Sequence, residues 1–269
     1  MSAIDTLFQD LRRKGRKALM PFVTAGDPDL EFTAAVLRRV VECGSSLCEL
    51  GIPYSDPVAD GPVIQASYTR ALGRKIKLAE ILTMLRGVSG ELAAPLVTMV
   101  SYAIVYRHGL ERYVAEAKTA GVAGAIVPDL PIEEAHALAQ ICRREDFSLI
   151  QLIAPTTSRD RALRIAEHTT GFIYYVSVTG ITGERSELPV EIVDHVAELR
   201  RQTPLPICVG FGISRPEHVR LLAPVADGLI VGSAIIRRIA EASQRPREEV
   251  LDEIGRYVAE LLAALSPRG

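Results

Sequence analysis

The sequence has no tryptophan, few aromatic residues and only four cysteines among its 269 residues. Cys43, Cys48, Cys142 and Cys208 form no CxxC pair and have no metal-ligand spacing, so we expect them to be small core residues. The five histidines are equally dispersed and form no HxxxH motif. We therefore expect no metal ion, and we expect surface or helix-end positions for His108, His136, His168, His195 and His218.

Charge and hydropathy exclude two classes of partner. The formal net charge is -2, which provides no basic surface for nucleic acid or for an acidic membrane. No apolar run reaches membrane-spanning length, and residues 1–17 have the pattern of an amphipathic helix instead of an export signal. The cytoplasm is the expected compartment. An anionic substrate has to be held by local geometry, since no global positive field attracts it.

Short apolar runs alternate with longer helical patterns along the whole chain. Continuous apolar runs of strand length are typical of a parallel sheet that is covered on its outer face. Eight runs leave roughly 33 residues per unit, a normal period for a closed (β/α)8 barrel. We expect residues 1–269 to form a single α/β domain of the TIM-barrel type. The predicted strands are Ala18–Val23, Ser46–Leu50, Pro95–Val100, Gly124–Val127, Ser148–Ile153, Phe172–Val176, Pro206–Val209 and Gly228–Val231.

One helical pattern precedes the first strand. Its apolar residues recur from Ile4 to Leu11 at the spacing of a single stripe, and this extra N-terminal helix is predicted to close the bottom of the barrel. The loops after the second and sixth strands, residues 51–62 and 177–189, are long and rich in Gly, Pro, Asp, Ser and Thr. Long polar loops in a compact domain are usually functional, so these two are predicted to be lids over the site.

Glu49 ends the second apolar run, where a charge pointing inward is costly unless it has a role. At the C-terminal end of a barrel strand it is predicted to face the mouth and the substrate. A carboxyl group in apolar surroundings has a raised pKa and can donate and then accept a proton near neutral pH. The alternative is neutralisation of Glu49 by a neighbouring Arg or Lys. Asp60 belongs to an ordinary Asp-Gly turn pair, but a folded loop can return it beside Glu49.

Glycine-rich turns follow the last three predicted strands, where barrels of this type hold phosphate. They are Gly180-Ile-Thr-Gly183, Gly210-Phe-Gly-Ile-Ser214 and Gly232-Ser233. In the last two, a serine is well placed to begin a helix, whose first amide groups and dipole bind an anion. Ser233, before a short helix, is the strongest candidate, although Ser214 and Ser233 are alternatively simple helix caps. Aromatic residues at strand ends, which are either core or the lining of a flat apolar pocket, are Phe22, Tyr102, Tyr174 and Phe211.

The run Glu49-Leu-Gly-Ile-Pro-Tyr-Ser-Asp-Pro-Val-Ala-Asp60-Gly-Pro closely resembles the signature of the tryptophan synthase α subunit family. It is highly specific among phosphate-binding barrels. Further runs match the family in the same order, so the resemblance covers essentially the whole chain. These runs are Pro21-Phe-Val-Thr-Ala-Gly-Asp-Pro28, Pro128-Asp-Leu-Pro131, Ser177-Val-Thr-Gly-Ile-Thr-Gly183 and Gly210-Phe-Gly-Ile-Ser214.

The resemblance implies a carbon–carbon lyase of tryptophan biosynthesis, which cleaves indole-3-glycerol phosphate to indole and glyceraldehyde 3-phosphate. It implies no cofactor in this chain, and a β subunit that carries pyridoxal phosphate and consumes the indole in an allosteric α2β2 tetramer. On the family pattern, Glu49 is the general acid and base of the cleavage. Asp60 is the carboxylate that bonds the indole N–H and stabilises positive charge on the ring.

The resemblance also assigns the remaining site residues. Thr182 matches a lid residue that closes over Asp60. The other substrate-binding positions, which comprise a ring pocket and a phosphate site, are Phe22, Ile64, Tyr102, Tyr174, Gly183, Phe211, Gly212, Gly232 and Ser233. Pro53, Asp56 and Pro57 match the rim that faces the β subunit.

Two departures from the family pattern concern the rim and the lid. Residues 103–105 are apolar and form a turn one residue shorter than the family's Asn-containing turn, which contacts the β subunit. In the predicted lid, Val178 stands where some relatives have an arginine. The altered turn keeps open a stand-alone lyase that releases free indole. A non-catalytic activator of the β subunit is another alternative, and retention of Glu49 and Asp60 argues against it. An indole-glycerol phosphate synthase or a phosphoribosyl isomerase is a further alternative. It is disfavoured because the first and fifth predicted strands contain no Lys or Asp.

Overall fold

A parallel β-sheet forms the centre of the molecule in the computed structural model, which describes residues 2–57, 60–176, 191–210 and 212–265. Burial is complete along the first strand, where all seven residues are buried, as expected for a sheet covered by helices. The strands are β1 (Ala18–Thr24), β2 (Cys48–Gly51), β3 (Leu96–Met99), β4 (Val122–Ile126), β5 (Ser148–Ile150), β6 (Leu152–Ile153), β7 (Ile173–Val176), β8 (Ile207–Gly210) and β9 (Gly228–Val231).

The strand order confirms the predicted barrel. Neighbouring strands follow the order β5-β4-β3-β2-β1-β9-β8-β7-β6, and every pair is parallel. Along the chain, Gln151 alone separates the two end strands of this order. They are therefore two parts of one barrel strand, or stave, and the sheet curls back on itself. The fifth predicted strand is divided because its first part pairs with β4 and its second part with β7. The barrel therefore has eight staves.

Helices surround the sheet, and the first of them closes the bottom of the barrel as predicted. Phe8 packs on Phe172 with ring centroids 5.7 Å apart, and Ser148 Oγ donates to Ser2 Oγ at 3.0 Å. In the described residues the helices are α1 (Ala3–Arg13), α2 (Leu30–Glu42), α3 (Pro62–Gly73), α4 (Leu78–Val88), α5 (Tyr102–His108), α6 (Leu110–Thr119), α7 (Ala135–Arg144), α8 (Arg159–His168), α9 (Glu191–Gln202), α10 (Pro216–Leu222), α11 (Ser233–Glu241) and α12 (Arg247–Leu265). None of them is long and apolar enough to cross a membrane.

Local sequence explains where the helices near the barrel mouth begin. Asp29 caps α2 by accepting from the amide of Phe32 at 2.8 Å, and Pro62 starts α3 because its missing N–H is not needed there. The helix α11 follows the eighth stave and begins at Ser233, with Gly232 as its N-cap. Ser214 does not cap α10, since that helix begins two residues later with Arg215 as N-cap.

Candidate active site

Glu49 lies near the C-terminal end of β2, in register with Phe22 on β1 and Val97 on β3. Successive side chains on a strand point to opposite faces, so Glu49 and Gly51 share one face. The ring of Phe22 lies on that face, because an added Cβ at Gly51 would meet Phe22 Cζ at 2.5 Å. This arrangement places Glu49 among apolar groups at the mouth of the barrel, the end at which barrel enzymes carry catalytic residues.

The carboxyl group of Glu49 is buried, and no cation pairs with it in the described part of the chain. The side chain is 1% exposed, and its Oε1 atom has no hydrogen-bond partner among the described residues. Burial, reinforced by the negative charge of Asp60, raises the pKa of Glu49 well above its ordinary value. The raised pKa favours the protonated form of Glu49, which is the form that can donate a proton. Neutralisation by a neighbouring Arg or Lys is not observed in the described part of the chain.

Asp60 returns to the mouth just before α3, as the sequence predicted for a folded loop. Its amide donates to the carbonyl of Pro57 at 3.0 Å, and Gln65 Nε2 donates to the carbonyl of Asp60 at 2.7 Å. The side chain is 5% exposed, and burial raises its pKa to about 6. A carboxyl group with this pKa is largely ionised at neutral pH, whereas burial and the charge of Asp60 favour the protonated form of Glu49. Two carboxyl groups with separated pKa values are the usual sign of separate acid and charge-stabilising roles.

Aromatic rings enclose the two carboxyl groups. Phe22 and Tyr174 are buried on strand faces that point into the barrel, and Ile64 is buried on α3. Gly210 leaves room for Tyr174, because a Cβ there would clash with the tyrosine ring. After burial itself, the charges of Glu49 and Asp60 contribute most to raising the pKa of Tyr174, which places its hydroxyl near both carboxyl groups. The enclosure fits a flat aromatic substrate with one polar edge.

Tyr102 lies at the rim and not beside the carboxyl groups. It opens α5, its amide donates to Asp129 Oδ1 at 2.7 Å, and its ring packs on the exposed Tyr106 with centroids 5.9 Å apart. Its pKa is raised by partial burial and then by Glu134 and Tyr106, in contrast to Tyr174. Asp129 also accepts from Ser101 Oγ at 2.7 Å, so it ties the start of α5 to the loop after β4.

The helix α3 is fixed to β1 by polar contacts that the sequence did not reveal. Arg70 donates to both carboxylate oxygens of the buried Asp27, at 2.9 and 2.6 Å. Thr24 Oγ1 lies 2.6 Å from Ser67 Oγ, and both hydroxyl groups are buried. Bidentate Arg–carboxylate pairs fix geometry as well as charge. They hold the helix that follows Asp60 in one position relative to β1, the strand that pairs with the strand of Glu49.

The N-terminus of α11 is the candidate phosphate site. The amides of Ile235 and Ile236 bond to the carbonyl of Gly232, at 2.9 and 3.1 Å. The amides of Ser233 and Ala234 precede them in the first turn, where amides have no partner within the helix. The first amides of a helix are free to bind an anion, and the helix dipole favours negative charge there. Gly232 lies next to the ring of Phe22. This helix end therefore borders the chamber that Phe22, Ile64 and Tyr174 form around Glu49 and Asp60.

The glycine turn after β8 differs from the prediction, because the backbone of Ser214 bonds to protein side chains. Gly212 adopts a φ of +78°, which glycine accommodates without strain. Ser214 donates its amide to His218 Nδ1 at 3.3 Å, and its carbonyl accepts from Tyr257 Oη at 3.0 Å. His218 is in the first turn of α10, which agrees with the expected helix-end position, but it is buried and not at the surface. The periodicity of a seven-residue helix is too short to reveal which face is covered.

Several predicted positions cannot be placed. Thr182, Gly183 and Phe211 lie outside the described residues, as does the departure at Val178. On the predicted partner rim, Asp56 is exposed, Pro57 is half-buried and Pro53 is buried. Within the described ranges no group of three or more His, Cys, Asp or Glu side chains is arranged to hold a metal ion.

Two tyrosines of the site were missed in the sequence. Tyr68 is buried on α3, and its ring packs on the half-buried Tyr54 with centroids 5.6 Å apart. Burial and then the charge of Asp60 raise the pKa of both hydroxyl groups. The available signal for Tyr68 was its position four residues after Ile64, which puts both side chains on one face of a helix that starts at the mouth.

Comparison with known proteins decides the family. The sequence profile of the family described as "Tryptophan synthase alpha chain" matches residues 8–264. The chain belongs to this family. It is 55% identical, over 257 residues, to the tryptophan synthase alpha chain of Rhodopirellula baltica, an alignment that covers 94% of this chain and 92% of that one.

Solved structures agree with the family assignment. The tryptophan synthase subunit alpha of Legionella pneumophila superimposes with a TM-score of 0.90 at 34% identity, covering 98% of each chain. A chain of the tryptophan synthase complex of Pyrococcus furiosus superimposes with a TM-score of 0.84 at 37% identity, covering 92% of this chain and 99% of that one. The chain is thus a lyase that cleaves indole-3-glycerol phosphate to indole and glyceraldehyde 3-phosphate. It carries no cofactor of its own, since pyridoxal phosphate belongs to the β subunit in this family.

Proposed function

We propose that Glu49 and Asp60 divide the cleavage of indole-3-glycerol phosphate between them. Glu49 is the general acid and base, and Asp60 is a fixed negative charge. The observation that carries this proposal is the contrast in the surroundings of the two carboxyl groups and in the resulting pKa shifts. Burial raises the pKa of Glu49 well above its ordinary value, whereas that of Asp60 is raised only to about 6.

The carboxyl group of Glu49 acts twice in one turnover, first as a proton donor and then as a proton acceptor. Glu49 first protonates the indole ring carbon that carries the glycerol chain, which leaves a positive charge on the ring. Asp60 accepts a hydrogen bond from the indole N–H and stabilises that charge. The ionised Glu49 then takes the proton of the hydroxyl next to the ring, the carbon–carbon bond breaks, and its electron pair returns to the ring. Indole and the aldehyde are released, and Glu49 is protonated again.

Substrate binding combines a ring pocket with a phosphate site. Phe22, Ile64 and Tyr174 are proposed to cover the indole ring, with Tyr102 at the rim. The amides after Gly232, at Ser233 and Ala234, are proposed to hold the phosphate together with Gly212. Thr182, Gly183 and Phe211 complete the proposal from the family resemblance alone. No cationic side chain is required, which agrees with the net charge of -2.

The chain is also proposed to act with a β subunit in an α2β2 tetramer. Its structural relative from Pyrococcus furiosus was solved as the tryptophan synthase complex. On this chain, Asp56 is exposed beside Pro53 and Pro57, and Tyr106 on the neighbouring α5 is 68% exposed. An exposed aromatic side chain is typical of the centre of a protein interface. The short turn at 103–105 lies on this same helix, so it alters the proposed contact without touching the carboxyl groups.

The cytoplasm and a single domain over residues 1–269 belong to the proposal as well. All four cysteines are free, which is usual in a reducing compartment. One buried hydrophobic cluster runs from Ile4 to Leu265 and includes the residues around the mouth. The family comparisons do not favour a stand-alone lyase or a non-catalytic activator, and retention of both carboxyl groups is an argument for catalysis.

An indole-release assay tests the division of roles. Glu49→Gln preserves size and removes the transferable proton, so kcat is expected to fall by about 1,000-fold or more. Binding of glycerol 3-phosphate is expected to remain unchanged, because the phosphate site is separate from Glu49. Turnover close to that of the wild type would exclude Glu49 as the acid and base. The same assay with added β subunit tests the partnership, for which stimulation of indole production is the expected result.

A further inference from the structure

The hydroxyl group of Tyr68 has no task in the reaction as proposed so far. Tyr68 is 1% exposed, and its Oη atom has no hydrogen-bond partner among the described residues. Glu49 Oε1 is in the same condition. Buried polar atoms without partners are rare in native proteins, and each one calls for an explanation. Two of them in one chamber indicate that a hydrogen bond forms there during the reaction.

The geometry brings these two groups to one face of β2. An added Cβ at Gly51 would meet Tyr68 Oη at 2.7 Å and Phe22 Cζ at 2.5 Å. Gly51 and Glu49 point to the same side of the strand, so the hydroxyl group reaches over the glycine toward Glu49's side of the barrel. Gly51 is thus a place where glycine is required by the close approach of a side chain.

The helix that carries Tyr68 is held in place on both sides of it. Ser67 is bonded to Thr24 on β1, and Arg70 is bonded to Asp27 in the loop after β1. The ring of Tyr68 packs against Tyr54. A side chain that is already fixed loses little further conformational entropy when it forms a hydrogen bond. This is what pre-organisation of a site requires.

We propose that Tyr68 is a positioning residue whose Oη–H donates a hydrogen bond to the carboxylate of Glu49 while that carboxylate is ionised. This proposal rests on the role of Glu49 given above. After Glu49 has protonated the ring, it is a buried anion next to a second anion, Asp60. A neutral donor stabilises this state until Glu49 recovers a proton from the substrate hydroxyl. Tyr68 keeps its own proton throughout, so the proton balance of the reaction is unchanged.

The electrostatic surroundings of Tyr68 agree with a donor that never ionises. Burial, followed by the charges of Asp60, Tyr54 and Glu49, raises its pKa well above the ordinary value. The titratable groups that act on one another in this chamber are Glu49 on β2, Asp60 and Tyr54 in the following loop, and Tyr174 on β7. Cys208 on β8 also acts on Tyr174, but its own charged neighbours are Asp227, Arg12 and Lys17. In the described residues, the only charge that shifts the pKa of Glu49 is the negative one of Asp60. A hydrogen-bond donor is therefore the group that Glu49 lacks.

Tyr68→Phe tests the proposal, and Tyr175→Phe is a matched control. Tyr175 is also buried, and its Oη also lacks a partner among the described residues. Tyr175 follows Tyr174 on β7 and points to the opposite face, where it lines a cavity of about 200 Å³ between α8 and α9. Each variant removes one buried, unpartnered hydroxyl group, but only Tyr68 faces the carboxyl groups.

The measurements are kcat and KM for indole release over a range of pH, and the thermal midpoint. Tyr68→Phe is expected to lower kcat by about 10-fold or more with KM unchanged, as for loss of a hydrogen bond to a charged group. Loss of this donor raises the pKa of Glu49. The basic limb of kcat/KM, which reports deprotonation of that acid, therefore moves to higher pH. Tyr175→Phe is expected to leave kcat and the position of the basic limb unchanged.

Four results would overturn the proposal. They are equal activities of the two variants, a loss carried by KM, a shift of the acidic limb in place of the basic one, and a thermal midpoint for Tyr68→Phe well below that of Tyr175→Phe. The third would assign Tyr68 to Asp60, and the fourth would make its role structural. Glu49→Gln in the same series separates the two proposals. If Glu49→Gln stays active, the acid–base assignment fails, whatever Tyr68→Phe does.

Discussion

Buried carboxyl groups at the two ends of the barrel differ in their hydrogen-bond partners. At the bottom, Asp227 precedes β9 and is 4% exposed, yet it accepts from Arg200 at 3.2 Å, from Arg12 at 3.4 Å and from the amide of Ile207 at 3.0 Å. At the mouth, Glu49 is equally buried, and in the described part of the chain nothing bonds to its Oε1. A paired acid holds elements together, whereas an unpaired one is available for chemistry.

Asp27 shows that the difference is not a matter of the barrel end alone. It lies in the loop after β1, close to the mouth, and it is paired with Arg70 in a bidentate contact. Its function is to fix α3, the helix that positions Tyr68 and follows Asp60. The distinction therefore lies in whether a basic residue faces the acid. In the described part of the chain, the rings of Phe22, Tyr68 and Tyr174 lie near Glu49, and no basic side chain forms an ion pair with it.

The largest effect that separates the two ends is expected for Asp60→Asn. Loss of the fixed negative charge should lower kcat by about 100-fold, in the range of a single electrostatic contact in a transition state. The acidic limb of the wild-type kcat/KM profile should lie near pH 6, where Asp60 is protonated, and it should be absent from the variant. Wild-type kcat together with a retained acidic limb would show that another group carries the charge.

The same variant has an expected effect on stability. Folding raises the pKa of Asp60 from its ordinary value of 3.8 to about 6, so the folded wild type binds the proton more tightly than the unfolded chain. Its free energy of unfolding therefore falls as pH rises through that window. At pH 7, Asp60→Asn should be more stable than the wild type by about 2 kcal/mol. Urea unfolding at pH 4 and pH 7 measures this, and a variant less stable at pH 7 would contradict it.

Asp227→Asn should produce the opposite pattern. It removes the charge that Arg12 and Arg200 contact and weakens the bond to the amide of Ile207. The free energy of unfolding should fall by about 1–3 kcal/mol, while kcat and KM stay at wild-type values. Because both arginines are close to half-exposed, water compensates for part of the loss. A large decrease in kcat at full stability would mean that the bottom of the barrel is not merely structural.

The smallest expected effect concerns the phosphate end of the mouth. Ser233→Asp puts a negative charge at the N-terminus of α11, which should weaken the binding of glycerol 3-phosphate by about 10-fold. Ser158→Asp is a matched control, because Ser158 is the N-cap of α8 on a different stave. Calorimetric titration compares the two variants. Equal affinity in both would remove Ser233 from the phosphate site.

Much of this architecture follows from sequence pattern, because parallel strands and barrel mouths leave strong local signals. Glu49 was identifiable since a charge at the end of an apolar run is anomalous. Asp60 needed the fold, because an Asp-Gly pair looks like any turn until the loop is seen to return. Tyr68 was missed since a tyrosine on a helix resembles a core residue, and the fold adds that its hydroxyl group has no partner among the described residues. The interruption at Gln151 divides one stave into β5 and β6, because β5 pairs with β4 and β6 pairs with β7. Nothing in the local sequence indicates this change of partner strand.

The central claim is that Glu49 is held protonated at neutral pH by burial next to Asp60. Infrared difference spectroscopy of the wild type against Glu49→Gln at pH 7 tests it directly, because a protonated carboxyl group absorbs apart from a carboxylate. We expect a protonated carboxyl band in the wild type that disappears in Glu49→Gln and remains in Asp227→Asn. A difference spectrum that contains only carboxylate bands for Glu49 would contradict the account.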